Sequence, residues 1–294
     1  MGQSLGMKTE LSGYVSGFLG MLGFSLTLPA TRIAVSELDP VFVGLGRAVV
    51  AAGLSIIVLL ITRQPFPPKR FLSQFAIVAA GVIVGFPLLT AWAMQDVPAN
   101  HGAVVTGLLP LATALTAVWR GGERPSPQFW LFSILGSVLV VAFALSSGSG
   151  SLHLADLALL GAVIAAGVGY GEGAVLARTF GAWQVICWAL VFSVPFLLPI
   201  ILWSGLPKFS AIGYGAWLGF IYVSVISMFL AFIAWYRGLA MGGIARVGQM
   251  QLLQPFFTIL ASGLLLGEEI SGDTFVYATG VALCVALGRT KVKQ

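Results

Sequence analysis

Charged residues are scarce in this sequence: they make up 9% of the 294 residues, whereas a soluble domain holds roughly 25%. Only two cysteines and two histidines are present, which is too few for a disulfide framework or a typical zinc cluster. The HExxH pattern of zinc proteases does not occur, and the glycines of GVGYGEG lack the Lys-Ser/Thr pair of a phosphate loop. These absences argue against an enzyme, and no cofactor or metal ion is expected.

Apolar residues dominate instead, with 58% hydrophobic side chains and a mean hydropathy of +0.99. Apolar runs of about one membrane thickness recur along the chain, bounded by polar residues, proline or glycine. Strands of a membrane barrel would alternate polar and apolar side chains, and runs such as FAIVAAGVIVGF do not. The sequence therefore predicts an all-α polytopic membrane protein with ten transmembrane helices, at approximately 12–35, 40–62, 71–95, 99–119, 127–146, 153–177, 183–203, 211–236, 244–266 and 272–288.

The distribution of Lys and Arg predicts how these helices are oriented. If the N-terminus is cytoplasmic, only Arg32 and Lys208 fall on the outer side. The cytoplasmic side then receives Lys8, Arg63, Lys69, Arg70, Arg120, Arg124, Arg178, Arg237, Arg246, Arg289, Lys291 and Lys293. This asymmetry predicts a multi-pass protein of the inner (plasma) membrane with both termini in the cytoplasm. The formal charge of +5 thus reflects topology and gives no reason to expect a nucleic-acid partner.

Two stretches of the chain repeat one pattern. Pro110 precedes Glu123 by the same spacing at which Pro255 precedes Glu268, and each glutamate follows a glycine at the end of an apolar run. The flexible segment SSGSGS lies between them and divides the chain into halves of five predicted helices. Because that number is odd, the second half enters the membrane in the opposite orientation. We therefore predict two inverted five-helix repeats around a central cavity, with the first at 1–146, a linker at 147–151 and the second at 152–294.

Pro110 and Pro255 lie near the middle of their predicted helices. Proline has no amide hydrogen, so each one frees the carbonyl four residues earlier, on Thr106 and on Gln251. A free carbonyl cannot face lipid and must meet a neighbouring helix, a side chain or a water-filled cavity. Two kinked helices of opposite orientation would thus meet at the membrane midplane, where transporters bind their substrates. The alternative is that both kinks serve helix packing alone.

Candidate cavity residues are aromatic or polar side chains on these helices and their neighbours. Aromatic faces suit flat or cationic solutes, and amide or hydroxyl groups bind amino and carboxylate groups. The candidates are Phe24, Trp92, Thr106, Tyr170, Trp235, Gln251 and Gln254. For the two tryptophans the alternative is a place in the interfacial aromatic belt, and for Phe24 it is ordinary helix packing.

Arg47 and Glu172 lie several residues inside their predicted helices, where a charge is costly and usually functional. Arg47 and Glu172 do not look like partners, because on the order of 10 Å separates their levels at about 1.5 Å per residue. Glu172 is a candidate for proton coupling, or else it lies at the cytoplasmic mouth opposite Arg178. For Arg47, structural anchoring is favoured over contact with a substrate.

The repeated elements LLPLATALTAVWRGGE and LLQPFFTILASGLLLGE, set in two inverted halves, resemble the drug/metabolite transporter superfamily and in particular its EamA-type branch. Within that branch the chain is similar to the YddG-type exporters of aromatic amino acids. The resemblance covers nearly the whole chain. It implies a central cavity between the first, third, fourth, sixth, eighth and ninth helices that opens alternately to either side. The first copy departs from the family at VWRGGERP, where an apolar turn is usual, so the halves need not gate equivalently.

The resulting prediction is a secondary transporter, not an enzyme, that exports small organic solutes by alternating access. Aromatic or other amino acids, related metabolites and cationic drugs are the expected substrates. The alternatives are a metabolite importer or exchanger of the same superfamily, and a membrane receptor or scaffold that transports nothing. The expected partners are a small-molecule substrate and the lipid bilayer, and the sequence leaves the substrate, direction, energy coupling and oligomeric state open.

Overall fold

The computed structural model describes residues 2–121, 126–147 and 153–287, and every regular element within those ranges is a helix. The predicted fifth and tenth helices correspond to Pro127–Ser147 and Gly272–Leu287. Eight further segments are long and apolar enough to cross a membrane, namely Leu11–Val35, Phe42–Ile61, Lys69–Asp96, Ala99–Arg120, Leu154–Phe180, Ala182–Ser204, Tyr214–Gly242 and Gln249–Leu266. The prediction of an all-α polytopic membrane protein is confirmed. The proposed domain division stays a prediction, since residues 148–152 of the linker region lie outside the described ranges, as does Glu123.

We number the spans from one to ten in chain order, and several of them consist of more than one helical piece. In the first half the pieces are Gly2–Ser25 and Thr27–Val35 in the first span, a π-helix Phe42–Gly46 and Arg47–Ile61 in the second, Lys69–Phe71, Leu72–Val78, a π-helix Ala79–Gly85 and Phe86–Asp96 in the third, Ala99–Thr106 and Leu109–Gly121 in the fourth, and Pro127–Ser147 as the fifth.

The second half has the same kind of composite spans. Its pieces are Leu154–Phe180 as the sixth span, Ala182–Ser204 as the seventh, Tyr214–Ile221, a π-helix Tyr222–Ala231 and Phe232–Gly242 in the eighth, Ile244–Gly248, a 3₁₀-helix Gln249–Leu253 and Gln254–Leu266 in the ninth, and Gly272–Leu287 as the tenth. A short 3₁₀-helix, Phe209–Ala211, connects the seventh span to the eighth. Spans three and eight, which correspond in the two repeats, thus both contain a π-helix.

The first span packs closely against the eighth and also contacts the ninth. A Cβ atom added to Gly20 would lie 2.8 Å from the backbone nitrogen of Trp235, and one added to Gly13 would lie 2.8 Å from the nitrogen of Gly242. Glycine therefore lets the two backbones touch, as small residues commonly do where membrane helices pack. We call the first, eighth and ninth spans group A.

The sixth span packs in the same way against the third and the fourth. A Cβ atom on Gly81 would lie 3.0 Å from the Cα of Gly169, and one on Gly167 would lie 2.7 Å from the carbonyl carbon of Ala112. We call the third, fourth and sixth spans group B. Spans six, three and four are the repeat counterparts of spans one, eight and nine, so the two groups are matched, and each takes spans from both halves of the chain.

The remaining spans complete the bundle by pairing across the repeats, the second with the seventh and the fifth with the tenth. The even-numbered spans end on one face of the bundle, and because Arg63, Arg120 and Arg178 lie there, we call it the basic face. The other is called the opposite face. The two groups meet between these faces, in the middle of the bundle.

Candidate functional site

The fourth and ninth spans are both interrupted where their prolines lie. In the fourth span a new α-helix begins at Leu109, so that Pro110 is its second residue. In the ninth span a new α-helix begins at Gln254, and Pro255 is again the second residue. Proline is tolerated in the first turn because an amide there has no partner within the helix. The two spans are therefore broken at matched positions, in the middle of the bundle.

A third break, which the sequence analysis does not predict, separates Ser25 from Thr27 in the first span. Pro29 has no amide hydrogen, so the carbonyl of Ser25 has no helical donor. The buried hydroxyl of Thr258 in the ninth span donates a hydrogen bond to that carbonyl at 2.6 Å. A proline four residues after a serine inside an apolar run is the sequence signal for this break. The hydrogen bond ties the first span to the ninth within group A.

Four aromatic side chains meet beside these breaks, and we call Phe24, Tyr170, Phe232 and Trp235 the aromatic cluster. The rings of Phe24 and Tyr170 are stacked with their centroids 6.1 Å apart. The ring of Trp235 lies edge-on to both, at 6.2 Å from Phe24 and 5.7 Å from Tyr170. Phe232 completes the cluster at 4.9 Å from Phe24. All four side chains are buried, and the stacked pair joins matched positions of the two repeats.

Two tyrosines of the eighth span hold the backbone next to the cluster. The hydroxyl of Tyr222 donates to the carbonyl of Gly23 at 2.9 Å, and that of Tyr236 donates to the carbonyl of Gly169 at 3.1 Å. Each glycine immediately precedes the aromatic residue that its half contributes to the stacked pair. The eighth span therefore binds both groups, one tyrosine to group A and the other across to group B.

Polar atoms without hydrogen-bond partners are concentrated around the aromatic cluster. Arg47 is 1% exposed, and its Nε and Nη1 atoms have no partner among the described residues. Within those residues the same holds for both amide atoms of Gln251, for Oε1 of Gln254 and for Nε1 of Trp235. Both Arg47 and Gln251 lie within interaction range of the Tyr170 hydroxyl. Buried polar groups are nearly always paired, so this concentration distinguishes the region from an ordinary core.

Two contacts between polar side chains fasten the fourth span to the sixth, one near each face. Near the basic face, Nε and Nη2 of Arg120 donate to the two carboxylate oxygens of Glu172 at 2.6 and 2.7 Å. Near the opposite face, Nε2 of His101 and Oδ1 of Asp156 are 2.6 Å apart. Of the two alternatives for Glu172, the place opposite Arg178 is corrected: its partner is Arg120, because the end of the fourth span packs beside the sixth. Proton coupling by Glu172 stays a prediction.

The structure brings some of the predicted cavity residues together and leaves others apart. The structure gathers Phe24, Tyr170, Trp235 and Gln251 in the middle of the bundle, and Gln254 is buried at the position before Pro255. Thr106 is also buried, but its hydroxyl donates to the carbonyl of Gly102 in its own helix at 2.9 Å. Trp92 is 39% exposed on the surface of the third span and is no part of the cluster. Two further residues contribute to this region: Arg47, for which the sequence favours anchoring, and Pro29, which the sequence analysis leaves unmentioned.

A separate cavity of about 500 Å³ lies at the side of the bundle, between the first, ninth and tenth spans. Its lining is mostly apolar and includes Tyr14, Gln249, Met250 and Phe256. This position differs from the central one that the family resemblance implies. In the middle of the bundle, the rings of Phe24, Tyr170 and Trp235 contact one another.

Metal-ligating side chains are dispersed through the structure. Within the described ranges no group of three or more His, Cys, Asp or Glu residues lies close enough to hold a metal ion. Cys187 and Cys284 are both buried free thiols inside helices.

Comparison with known proteins relates the chain to membrane transport proteins. The model of the family described as "EamA-like transporter family" matches residues 11–145 and, a second time, residues 153–288. The "Uncharacterized transporter YdeK" of Bacillus subtilis is 50% identical over 98% of this chain and 100% of its own length. The "Probable terminal-alkyne amino-acid exporter" of Streptantibioticus cattleyicolor is 22% identical over 85% of this chain and 84% of its own length.

A solved structure has the same fold. It is titled "Crystal structure of protein" and superposes with a TM-score of 0.69 over 95% of this chain and 96% of its own. Because the two sequences are only 18% identical, this likeness concerns the fold alone.

Proposed function

The chain belongs to the EamA-like transporter family, and on this premise we propose that it exports small organic solutes, such as amino acids and related metabolites, by alternating access. The family assignment and the apolar helices identify the protein as a multi-pass membrane transporter. We propose that it resides in the cell membrane. Both termini would lie in the cytoplasm, because Lys and Arg are concentrated on the basic face. No catalytic step is part of the proposal.

The observation that carries the proposal is the position of the aromatic cluster at the contact between groups A and B. Phe24 and Trp235 belong to group A, whereas Tyr170 belongs to group B. A site built from both groups changes its access when one group moves relative to the other. Inverted-repeat transporters work in this way, with the substrate bound between the repeats near the middle of the membrane.

The broken helices support the same location. Irregular backbone at membrane depth is tolerated only where it is buried in protein or lines a cavity. The breaks beside Pro110 and Pro255, and the one that precedes Pro29, all lie in the middle of the bundle. The breaks therefore place irregular backbone in the same part of the bundle as the cluster.

Amino acids are the first substrates to test. The aromatic faces of the cluster suit an apolar side chain. The unpaired Gln251 amide suits an amino or a carboxylate group, and the unpaired Gln254 amide oxygen suits an amino group. A distant relative carries the name of an amino-acid exporter, which supports the same choice.

The contacts of Glu172 and Asp156 favour a fastening role over proton coupling. Glu172 accepts two hydrogen bonds from the Arg120 guanidinium, the bidentate geometry that holds an arginine and a carboxylate together. His101 and Asp156 make the corresponding contact near the opposite face. Both pairs lie within group B, so they hold its fourth and sixth spans together and do not cross the contact between the groups.

The test is counterflow of labelled amino acids in liposomes that contain the purified protein. We expect exchange above that of empty liposomes, and Gln251→Leu is expected to lower it by about tenfold or more because a polar contact to the solute is lost. Gln184→Leu is the matched control, since the Gln184 amide oxygen is also buried without a partner among the described residues but lies near Gly181, far from the cluster. Absence of exchange for every amino acid would contradict the proposal, and equal loss in both variants would contradict the site.

A further inference from the structure

We propose that Arg47 binds the carboxylate of the transported solute, so that the substrates are monocarboxylates or zwitterions and not purely cationic or neutral molecules. This inference rests on the transport function proposed above and names the substrate class of its site. It also assigns to Arg47 a role in binding where the sequence favours one in anchoring.

Arg47 differs from the arginines that have protein partners. Arg32 donates through Nη1 to the backbone carbonyls of Met94 and of Gln95, the second at 2.8 Å. Arg120 donates to Glu172. By contrast, the guanidinium of Arg47 is buried in the middle of the bundle, and in the part of the chain described neither Nε nor Nη1 has a partner.

A buried positive charge needs a compensating negative charge. Charged side chains within a membrane are costly and are almost always paired. The buried carboxylates of the described residues are Asp156 and Glu172, and both are already bound, to His101 and to Arg120 respectively. Among the described residues, no buried carboxylate is therefore left for Arg47, and a solute can supply one.

The chemistry of a guanidinium selects a planar, singly charged group. Arginine donates two parallel hydrogen bonds to a carboxylate, a geometry that a lysine does not provide. One buried guanidinium balances one negative charge. A phosphate that carries two negative charges would need a second buried base, and Arg47 is the one buried Lys or Arg among the described side chains.

The surroundings of Arg47 suit the rest of such a molecule. Tyr170 lies within electrostatic range of the guanidinium, and it is part of the aromatic cluster that would contact an apolar side chain. Gln251 lies beside the same Tyr170 hydroxyl, and its amide oxygen has no partner in the described structure. That oxygen can accept a hydrogen bond from the ammonium group of an amino acid. Carboxylate, ammonium and side chain thus each have a complementary group.

A binding role and an anchoring role make opposite predictions for the protein without ligand. If the partner of Arg47 is a solute carboxylate, the arginine is unpaired in the ligand-free protein. Arg47→Met then removes an uncompensated buried charge and should raise the thermal midpoint of unfolding. If Arg47 anchors the fold, the same change removes stabilising contacts and should lower that midpoint. Arg32→Met is the control, because it removes an arginine that binds backbone carbonyls, and we expect it to lower the midpoint.

The experiment measures thermal unfolding of the purified full-length protein with phenylalanine, phenylacetate or phenethylamine at millimolar concentration. Phenylalanine and phenylacetate carry the carboxylate, whereas phenethylamine carries only the amine. We expect the two carboxylates to stabilise the wild-type protein and phenethylamine to have no effect. In Arg47→Met the apparent affinity for both carboxylates should fall by about 30-fold or more, and Arg47→Lys should retain part of it.

Several results would overturn the inference: no stabilisation by either carboxylate, equal stabilisation by phenethylamine, unchanged affinity in Arg47→Met, or a lower midpoint for the ligand-free Arg47→Met protein. Counterflow separates this inference from the transport proposal. Carboxylate binding without counterflow would leave the Arg47 site standing and remove the transport function. If Arg47→Met leaves counterflow unchanged, the transport function stands and the Arg47 site is removed.

Discussion

Arg120 and Glu172 form an ion pair whose two partners differ sharply in exposure: the Glu172 side chain is 2% exposed and that of Arg120 is 33% exposed. The buried member thus comes from the sixth span, and the member that can reach solvent comes from the end of the fourth. Removing Arg120 would therefore leave a buried group without its partner, whereas removing Glu172 would leave a partly exposed one.

We expect Arg120→Gln to lower the thermal midpoint of unfolding more than Glu172→Gln does. Loss of the arginine leaves a buried carboxylate without a partner, whereas loss of the carboxylate leaves a guanidinium that can turn towards water. The double variant Arg120→Gln/Glu172→Gln should recover part of the loss. Arg178→Gln is the control and should have little effect, since Arg178 is exposed. Equal losses in the two single variants would contradict the burial asymmetry.

The close contact at Gly20 leads to a second prediction. Gly20→Ala should destabilise the protein by about 1–3 kcal/mol, because the new methyl group would meet the Trp235 backbone at 2.8 Å and push the first and eighth spans apart. Gly53→Ala is the matched control: nothing lies within 4 Å of a Cβ there, and alanine in a helix interior should add about 0.5–1 kcal/mol. Chemical unfolding in detergent measures both. A Gly20→Ala protein as stable as the wild type would contradict backbone contact at this position.

The hydrogen bond between the first and ninth spans can be tested at Thr258. Thr258→Val should cost about 0.5–1.5 kcal/mol, because the Ser25 carbonyl loses its donor and has no helical alternative beside Pro29. Thr113→Val is the matched control, since that hydroxyl is equally buried but donates only to Leu109 in its own helix, at 2.8 Å. Similar costs for both substitutions would show that the bond between the spans adds nothing.

The repeats are also joined where Glu268 binds the start of the fourth span. Its two carboxylate oxygens accept hydrogen bonds from the backbone nitrogens of Ala99 at 2.8 Å and Asn100 at 2.9 Å. A carboxylate at a helix N-terminus satisfies free amides and is favoured by the helix dipole. Glu268→Gln should therefore cost about 1 kcal/mol, whereas the exposed neighbour Glu269 should tolerate the same change. Urea or thermal unfolding of the two variants checks the difference, and equal stability would refute the capping role.

Helix positions could be predicted well from the sequence, and lateral contacts could not. The predicted helix at 40–62 is found at Phe42–Ile61, because membrane thickness fixes the length of an apolar run. Phe24 and Tyr170 were both candidates for one central site, but only the structure shows that their rings stack.

The contacts that could not be predicted depend on which side of a helix faces its neighbours. Trp92 and Trp235 each follow an alanine late in a span and look alike in the sequence, yet one is 39% exposed and the other fully buried. Likewise, the partner of Glu172 depends on where the fourth span ends beside the sixth. Such pairings are set by tertiary packing, and no periodicity of the sequence encodes them.

The interleaving of the two packed groups affects how the protein is made. The glycine face of the first span is covered by the eighth, and Trp235 is synthesised about 200 residues after Gly20. At about 5–20 residues per second, this interval is roughly 10 to 40 s. During that time the glycine face of the first span has no contact with the eighth span. Neither half of the chain therefore completes its packing before the other half is inserted.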